Sequence, residues 1–444
     1  MTDLVSLPSR DWTNWGRSER AEGFRFASAR SVDEVVAIVT FARDNALRVK
    51  AIGAGHSFSG IAVPRDIQLD ISAIDGVYAV DRADDGGARV TLGAGTNLYQ
   101  LPALLDPLGL ALANMGDIDR QTLAGATSTG THGTGAAFGG LATQIVALTL
   151  VTAAGELLRV SETENPELLP AARLGLGALG IVVELTIACV PSFALHAVER
   201  PEPLEEVLDD FAARSTGVDH FEFYWFPHTD RALTKSNTRM PAETPTKRQS
   251  GFAAWVDDEL LSNRVFEATC GIGRMMPRAI PGINRLAERL VAEREIVDVS
   301  HRVFVASRKV RFREMEYAIP VEHVPAALRA IRDVVAANGW QISFPIEVRV
   351  AAADDLYLST ASGRASGYIA AHRYHREDPT AYFEAIEAIM RGFDGRPHWG
   401  KMHYRDAASL APAYPRFGDF LAVRDRLDPE RLFSNDYLDR VLGA

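Results

Sequence analysis

At 444 residues with 47% hydrophobic side chains, the chain is longer than one core supports and has apolar residues enough for two domains. A formal net charge of −11 without a basic block excludes nucleic acid as a partner, and no apolar run reaches the roughly 18 residues of a membrane span. Cys189 and Cys270 are too few for a disulfide framework and lack metal-ligand spacing, and Met1–Arg10 lacks the basic and apolar stretches of a signal peptide, so a reducing cytoplasm is expected.

Ser31, with Glu34 three residues on, reads as a capping box opening a helix whose apolar face is Val32, Val35, Val36, Val39 and Ala42. A short strand, Arg48–Ile52, delivers the chain into Gly53-Ala54-Gly55-His56-Ser57-Phe58-Ser59-Gly60. Strand-like segments follow at Ile67–Ile71, Gly76–Asp81 and Arg89–Ala94, with Asp84-Asp85-Gly86-Gly87 as a hairpin turn. Leu98–Leu105 reads as a helix whose first turn is disturbed by Pro102. A second glycine-rich stretch runs from Gly125 through Thr127, Ser128, Thr129, Gly130, Thr131, His132 and Gly133 to Gly135, and a strand, Ile145–Ala153, enters the Ala154-Gly155 turn. In both glycine stretches the backbone can approach a ligand closely, and successive N–H groups with Ser and Thr hydroxyls make a donor surface for phosphate oxygens. A diphosphate lying between them would meet donors from both sides; ordinary glycine turns are the plain alternative.

Gly175-Leu176-Gly177-Ala178-Leu179-Gly180 matches the G-x-G-x-x-G of dinucleotide sites, which requires a strand before it and a helix after it. Here a helix-like segment, Glu167–Arg173, precedes and a β-branched strand, Ile181–Ile187, follows, so these read as packing glycines. After Pro191 the texture changes. The aromatic strand Phe221–Phe226 alternates with amphipathic helices at Leu204–Ala213 and Glu322–Asn338, and Lys309–Ala318 and Ile342–Ala351 read as strands of the same antiparallel sheet. The end of the chain is helical around Tyr414–Leu427. The whole is an α+β protein of two domains.

Several residues could do chemistry. His56 sits inside the first glycine loop, where a lone histidine is most often a surface or hydrogen-bonded residue. Gly116-Asp117 reads as a plain turn or as a ligand-facing segment. Glu347 and Arg349 fall on one face of an otherwise apolar strand, where charges are costly unless paired or working. His372 has His375 three residues on, a pair without a third metal ligand in view, and His398-Trp399-Gly400-Lys401 completes the set.

The Gly-x-Gly-His-Ser element followed by Ser-Thr-Gly-Thr-His-Gly-Thr-Gly resembles the FAD domain of the vanillyl-alcohol-oxidase flavoproteins. The match is nearest to their sugar-acid branch of L-gulonolactone, D-arabinonolactone and alditol oxidases. The resemblance implies a PCMH-type FAD-binding domain over 1–190, an α+β substrate (cap) domain over 191–403 that covers the flavin, and a segment, 404–444, returning to the first domain. FAD would be held by Gly53, Ala54, Gly55, His56, Ser57, Phe58, Gly116, Asp117, Gly125, Ser128, Thr129, Gly130, Thr131, His132 and Gly133. In that branch the histidine matching His56 carries the flavin covalently through the 8α-methyl group, and the residue matching Gly116 admits or blocks oxygen at the flavin. Asp117 departs from the serine frequent there. The resemblance makes Glu347 a holder of substrate hydroxyls, Arg349 the stabiliser of a developing alkoxide, His372 the base and Lys401 a cation near the flavin N1–C2=O edge. His132 and His398 would support the site. The expected reaction is oxidation of a secondary hydroxyl of a small polyhydroxylated substrate, an aldono-1,4-lactone, with molecular oxygen as acceptor and hydrogen peroxide as product. The alternatives are a dehydrogenase passing electrons to a cytochrome or quinone, an alditol oxidase, and a flavin-binding protein without turnover.

Overall fold

The computed structural model describes residues 6–247, 266–290, 292–306 and 310–444; residues 1–5 of the start read for a signal, and Lys309 of an expected strand, lie outside them. Three sheets organise the described residues. The first joins β1 (Ser9–Thr13), β2 (Arg20–Ser28), β3 (Val49–Ile52) and β4 (Ile67–Asp70) in the order β1-β2-β4-β3, with β2 and β3 each parallel to β4. The helix Val32–Asp44 crosses from β2 to β3 and buries Val35, Ile38, Val39 and Ala42. Ser31 Oγ accepts from the Glu34 N–H at 3.2 Å, as a cap should. The Glu34 carboxylate, however, accepts from the Arg30 N–H at 2.8 Å, so the expected capping box closes one residue further out.

The second sheet holds β5 (Val77–Arg82), β6 (Ala88–Gly93), β7 (Leu110–Leu112), β8 (Ile145–Val151), β9 (Leu157–Ser161) and β10 (Ile181–Pro191), with β10 central. The segment with Pro102 opens as a 3-10 turn, Leu98–Gln100, and becomes a helix over Leu101–Leu105. Proline then falls in the first turn, where its missing N–H has no helical partner to lose. The Gly175–Gly180 stretch lies between a short helix, Leu169–Ala172, and β10, the reverse of a dinucleotide motif. It is filled from within the protein: the buried Lys50 donates to the carbonyls of Leu176 (3.3 Å), Gly177 (3.1 Å) and Phe433 (3.2 Å).

The third sheet is antiparallel throughout. It comprises β11 (Phe193–Pro203), β12 (His220–Trp225), β13 (Arg231–Pro241), β14 (Arg294–Val299), β15 (Phe312–Pro320), β16 (Ile346–Ala351), β17 (Ser366–Tyr374) and β18 (Arg396–Pro397), in the order β14-β11-β13-β12-β16-β17-β15-β18. Its back face is dry. Phe221, Phe223, Trp225, Met315, Tyr317, Val348 and Ile369 pack there against Phe211, Leu328, Ile331, Phe383 and Ile386 of the covering helices. Each such side chain contributes about 1.5–3 kcal/mol by leaving water. The expected helix Leu204–Ala213 is two, Leu204–Asp209 and Phe211–Thr216; past the break at Asp210, Phe211 packs on Phe223 with ring centroids 6.0 Å apart.

The helix Phe417–Leu427 and its neighbours pack into the first core: Leu410, Tyr414, Phe420, Phe433 and Leu438 share one apolar cluster with Val39, Val49, Leu69 and Leu185. Asn435 Nδ2 ties this end to the first glycine loop by donating to the carbonyls of Gly60 (2.9 Å), Ile61 (3.2 Å) and Val63 (2.8 Å).

Candidate active site

Strand alternation puts every second residue of β12, β16, β17 and β15 on the face opposite the dry core. Register then fixes neighbours: Tyr224 and Ala370 flank Glu347, Tyr368 lies beside Arg349, and Glu314 beside His372. Glu347, Arg349, His372 and Lys401 are thereby brought to one cleft, walled by the first glycine loop.

Arg349 is buried and clasped by three carboxylates. Its Nε lies 3.0 Å from Glu222 and its Nη2 3.3 Å from Asp117, and Nη2 also pairs with Glu347. Burial alone would lower its pKa, but Glu347, Asp117 and Glu222 override that and hold it well above the usual value. Asp117 therefore faces Arg349, where the sequence left its partner open. Glu222 also lies 3.5 Å from Lys235.

Lys401 reaches the cleft because its segment is sewn on both sides. The His398 and Met402 N–H groups donate to the Glu316 and Glu314 carbonyls of β15, and the Phe58 N–H donates to the Gly400 carbonyl at 2.7 Å. Lys401 Nζ then meets the Glu314 carboxylate at 2.5 Å. Burial disfavours its charge, but Glu314 and Glu316 outweigh burial and raise its pKa. His372 Nδ1 lies 2.9 Å from the Pro345 carbonyl, which can only accept, so Nδ1 carries a proton, and Nε2 lies 3.7 Å from the Glu314 carboxylate. His375 follows the end of β17, and among the described residues no group of potential metal ligands includes it or His372.

His56 is half-buried and stacks on Trp15 at 5.5 Å. Burial, then the charges of Lys401 and Arg120, lower its pKa to about 4, so its imidazole is neutral near pH 7. His132 Nδ1 donates to the Gly133 carbonyl at 2.8 Å, and its Nε2 lies 3.2 Å from Glu316. His398 Nδ1 accepts from the Gly400 N–H at 3.0 Å, and burial brings its pKa down to about 3. His132, Glu316 and His398 bring potential metal ligands within 4.8 Å of one another, but these bonds already occupy the His132 nitrogens and one of His398.

The glycine stretches behave differently from each other. The first is an open loop bordering two cavities: His56, Ser57 and Phe58 line the cleft, while Gly53 and Ala54 line a second cavity with Trp12, Phe26, Asp70 and Thr122. Much of the second stretch is not a loop. Residues Leu123–Thr129 form a helix capped by Thr122 and ended by Gly130 at φ 82°, and Thr127 and Thr129 spend their hydroxyls on that helix's own carbonyls. Thr129, Thr131 and His132 line the cleft with Gly116 and Asp117; Gly55, Gly125, Ser128, Gly130 and Gly133 line neither cavity. Further along, Gly135 donates to the Val350 carbonyl at 2.9 Å, tying this stretch to the third sheet.

These residues fit an elongated cofactor with a polar ring system at one end. One loop borders both cavities, and where it meets the helix a side chain has no room: a Cβ on Gly53 would lie 2.5 Å from Thr122 Oγ1. Glu222, Tyr224, Glu314 and Glu316 belong to the same charged face and escape the sequence reading. The signal was present, since Phe221-Glu222-Phe223-Tyr224 and Glu314-Met315-Glu316 alternate charge or hydroxyl with apolar residues as Glu347 and Arg349 do.

Fold and site together define a two-domain flavoprotein oxidoreductase. An FAD-binding domain family matches residues 25–161, and the D-arabinono-1,4-lactone oxidase family matches residues 185–441. The chain belongs to this aldonolactone oxidase and dehydrogenase family of FAD-dependent enzymes. It is 41% identical to an L-gulono-1,4-lactone dehydrogenase of Mycobacterium tuberculosis, over 97% of this chain and 99% of that one. It is 36% identical to an L-gulonolactone oxidase of Scyliorhinus torazame, over 96% and 97% respectively. Among solved structures, a solvent-stable cholesterol oxidase shares the fold with a TM-score of 0.79 at 20% identity, over 98% of both chains.

Proposed function

We propose that this enzyme oxidises a secondary hydroxyl of an aldono-1,4-lactone of the L-gulono or D-arabinono type, with dioxygen as the terminal acceptor and hydrogen peroxide as product. The observation that carries the reading is the convergence of Arg349, Glu347 and His372 on the cleft bordered by the His56 loop. FAD, when bound, supplies the acceptor for the carbinol hydride. His372, whose ring is oriented by the Nδ1 bond to Pro345 and which has Glu314 beside its Nε2, takes the hydroxyl proton. Arg349, fixed as a cation by its carboxylates, stabilises the oxygen as it becomes an alkoxide. Glu347 holds neighbouring substrate hydroxyls, and Lys401 places a positive charge against the ring end of the cofactor. His56 carries the cofactor covalently, as its neutral imidazole suits a nucleophile. Gly53, Ala54, Ser57, Phe58, Gly116, Asp117, Thr129, Thr131 and His132 surround that cofactor, with Gly55, Gly125, Ser128, Gly130 and Gly133 shaping the backbone behind them.

The domain bounds 1–190, 191–403 and 404–444 are part of the same reading, supported by the third sheet's start at Phe193 and by the last helices packing into the first core. A reducing cytoplasm is supported by free, buried Cys189 and Cys270, whose thiols burial pushes up to about 12. Identity to a named dehydrogenase favours a second reading, in which the same oxidation passes electrons to a redox protein or quinone. The test is anaerobic mixing with L-gulono- or D-arabinono-1,4-lactone, followed by air. Bleaching of the flavin and then peroxide support the oxidase. Bleaching without peroxide selects the dehydrogenase, and no bleaching by either lactone overturns the substrate class. Acid precipitation should leave flavin colour in the pellet for the wild type and release it for His56→Ala; release from both refutes covalent attachment.

A further inference from the structure

No helix among the described residues is long and apolar enough to cross a membrane, but one hairpin is built like a surface anchor. The helices Phe266–Met275 and Ile280–Leu290 meet at a turn through Met276, Pro277 and Arg278. Their inner sides are accounted for. Cys270 is fully buried in an apolar cluster with Phe58, Phe312, Phe344 and Tyr374, and Gly273 lies so near Ile280 that a Cβ there would sit 2.8 Å from it. The outer side remains apolar all the same: Ile272 is 44% exposed, Met275 78%, Met276 63% and Leu286 59%. Those are four of the nine large hydrophobic side chains most exposed among the described residues, gathered on one hairpin, so scatter does not explain them.

Charge singles out the same element. Arg274, Arg278, Arg285 and Arg289 are exposed beside these residues, and among the described residues none of the four forms an ion pair. Against Glu267 and Glu288 they give residues 266–290 a formal charge of +2 (four arginines less two glutamates), while the whole chain carries −11.

We infer that this hairpin docks the enzyme on an anionic phospholipid surface, with Met275 and Met276 entering the headgroup layer and the arginines meeting lipid phosphates. A second copy of the chain would bring four more arginines against these four, which disfavours self-association through this face. Exposure of every residue from Arg274 to Arg278 makes the tip protrude, a shape that enters a headgroup layer more readily than it fits a flat protein partner. Unbranched methionines adapt to such a boundary. The acidic remainder of the protein is repelled by the same surface, so docking has one orientation. Phe266 of the hairpin packs edge-on against Phe344 with ring centroids 4.8 Å apart, and Phe344 packs at 5.7 Å against Phe312, which also lines the catalytic cleft, so that cleft lies next to the docked edge.

The test is sedimentation of the full-length holoenzyme with vesicles of phosphatidylcholine alone or of phosphatidylcholine and phosphatidylglycerol in equal parts. Recovery on the anionic vesicles should exceed that on neutral ones by about tenfold or more and collapse at about 0.5 M salt. Met275→Asp with Met276→Asp, and separately Arg274→Gln with Arg278→Gln, should each abolish sedimentation while lactone-dependent reduction of a soluble dye stays at the wild-type rate. Wild-type protein remaining in the supernatant with both vesicles overturns the inference, and so does binding that survives both double substitutions. Equal binding to neutral and anionic vesicles overturns the role given to the arginines.

Discussion

Arg349→Ala removes the cation that Glu347, Asp117 and Glu222 share. Breaking a buried ion pair by deleting one partner costs about 3–5 kcal/mol, because the opposite charge stays buried. For 444 residues at about 2.1 cal/mol/K each, the unfolding entropy is about 0.9 kcal/mol/K, so the melting temperature should fall by about 3–5 °C. The rate should suffer separately. Loss of a donor aimed at a developing alkoxide costs about 10²–10³ in the chemical step. Arg349→Lys separates the two effects: an ammonium restores charge and most of the stability, but a single point charge cannot face three carboxylates and the substrate oxygen together. Scanning calorimetry reads the first effect, and anaerobic stopped-flow absorbance with lactone the second. An Arg349→Ala enzyme that melts with the wild type and reduces its flavin at the wild-type rate would refute both halves. Full rate in Arg349→Lys would show that the planar fork is not what matters.

Other substitutions probe neighbouring contacts. Gly116→Ala would bring a methyl to 3.0 Å from the His132 carbonyl, so it should slow reoxidation by oxygen about tenfold while sparing reduction by lactone. Unchanged reoxidation in a two-step stopped-flow experiment would remove Gly116 from oxygen access. Glu222→Gln keeps the shape of the Arg349 clasp but weakens it, and should slow flavin reduction about tenfold; an unchanged rate would make Glu222 purely structural. Acid should destabilise the fold through its histidines. Burial holds His398 and His403 at about 3 against an ordinary 6.5, so folding favours their neutral form. That stability is present above pH 6.5 and is lost as pH falls toward 3, by about 2 kcal/mol each at pH 5. Urea unfolding at pH 7.5 and pH 5 measures the difference, and equal midpoints would rule it out.

What the sequence displayed was whatever a single segment carries by itself. His56 between glycines and the alternation around Glu347 and Arg349 are local patterns, and both segments border the cleft. Glu222, Glu314 and Glu316 reach the same place only because β12 and β17 flank β16 and β15 lies beside β17, an order that chain position does not reveal. Periodicity tells which face a residue takes within its strand, not which strands will be neighbours. The helix within the second glycine stretch is hidden from the sequence for a related reason. A run rich in glycine, serine and threonine is a poor helix former in isolation, yet burial of Leu123, Ala126 and Thr127 stabilises a helix there. Lys50 at the Gly175–Gly180 stretch was equally invisible, since its partners lie far along the chain.

The two faces of β16 bear on how such an enzyme can change. Ile346, Val348 and Val350 hold the dry layer, while Glu347 and Arg349 serve the cleft from the same six-residue strand. A slip of one residue would exchange the sets, pressing two charges among phenylalanines and presenting valines to the cleft. Length changes are therefore confined to the connections around this strand. Replacements at alternate positions are not so confined: new substrate preferences can be explored on one side while the other goes on specifying the fold.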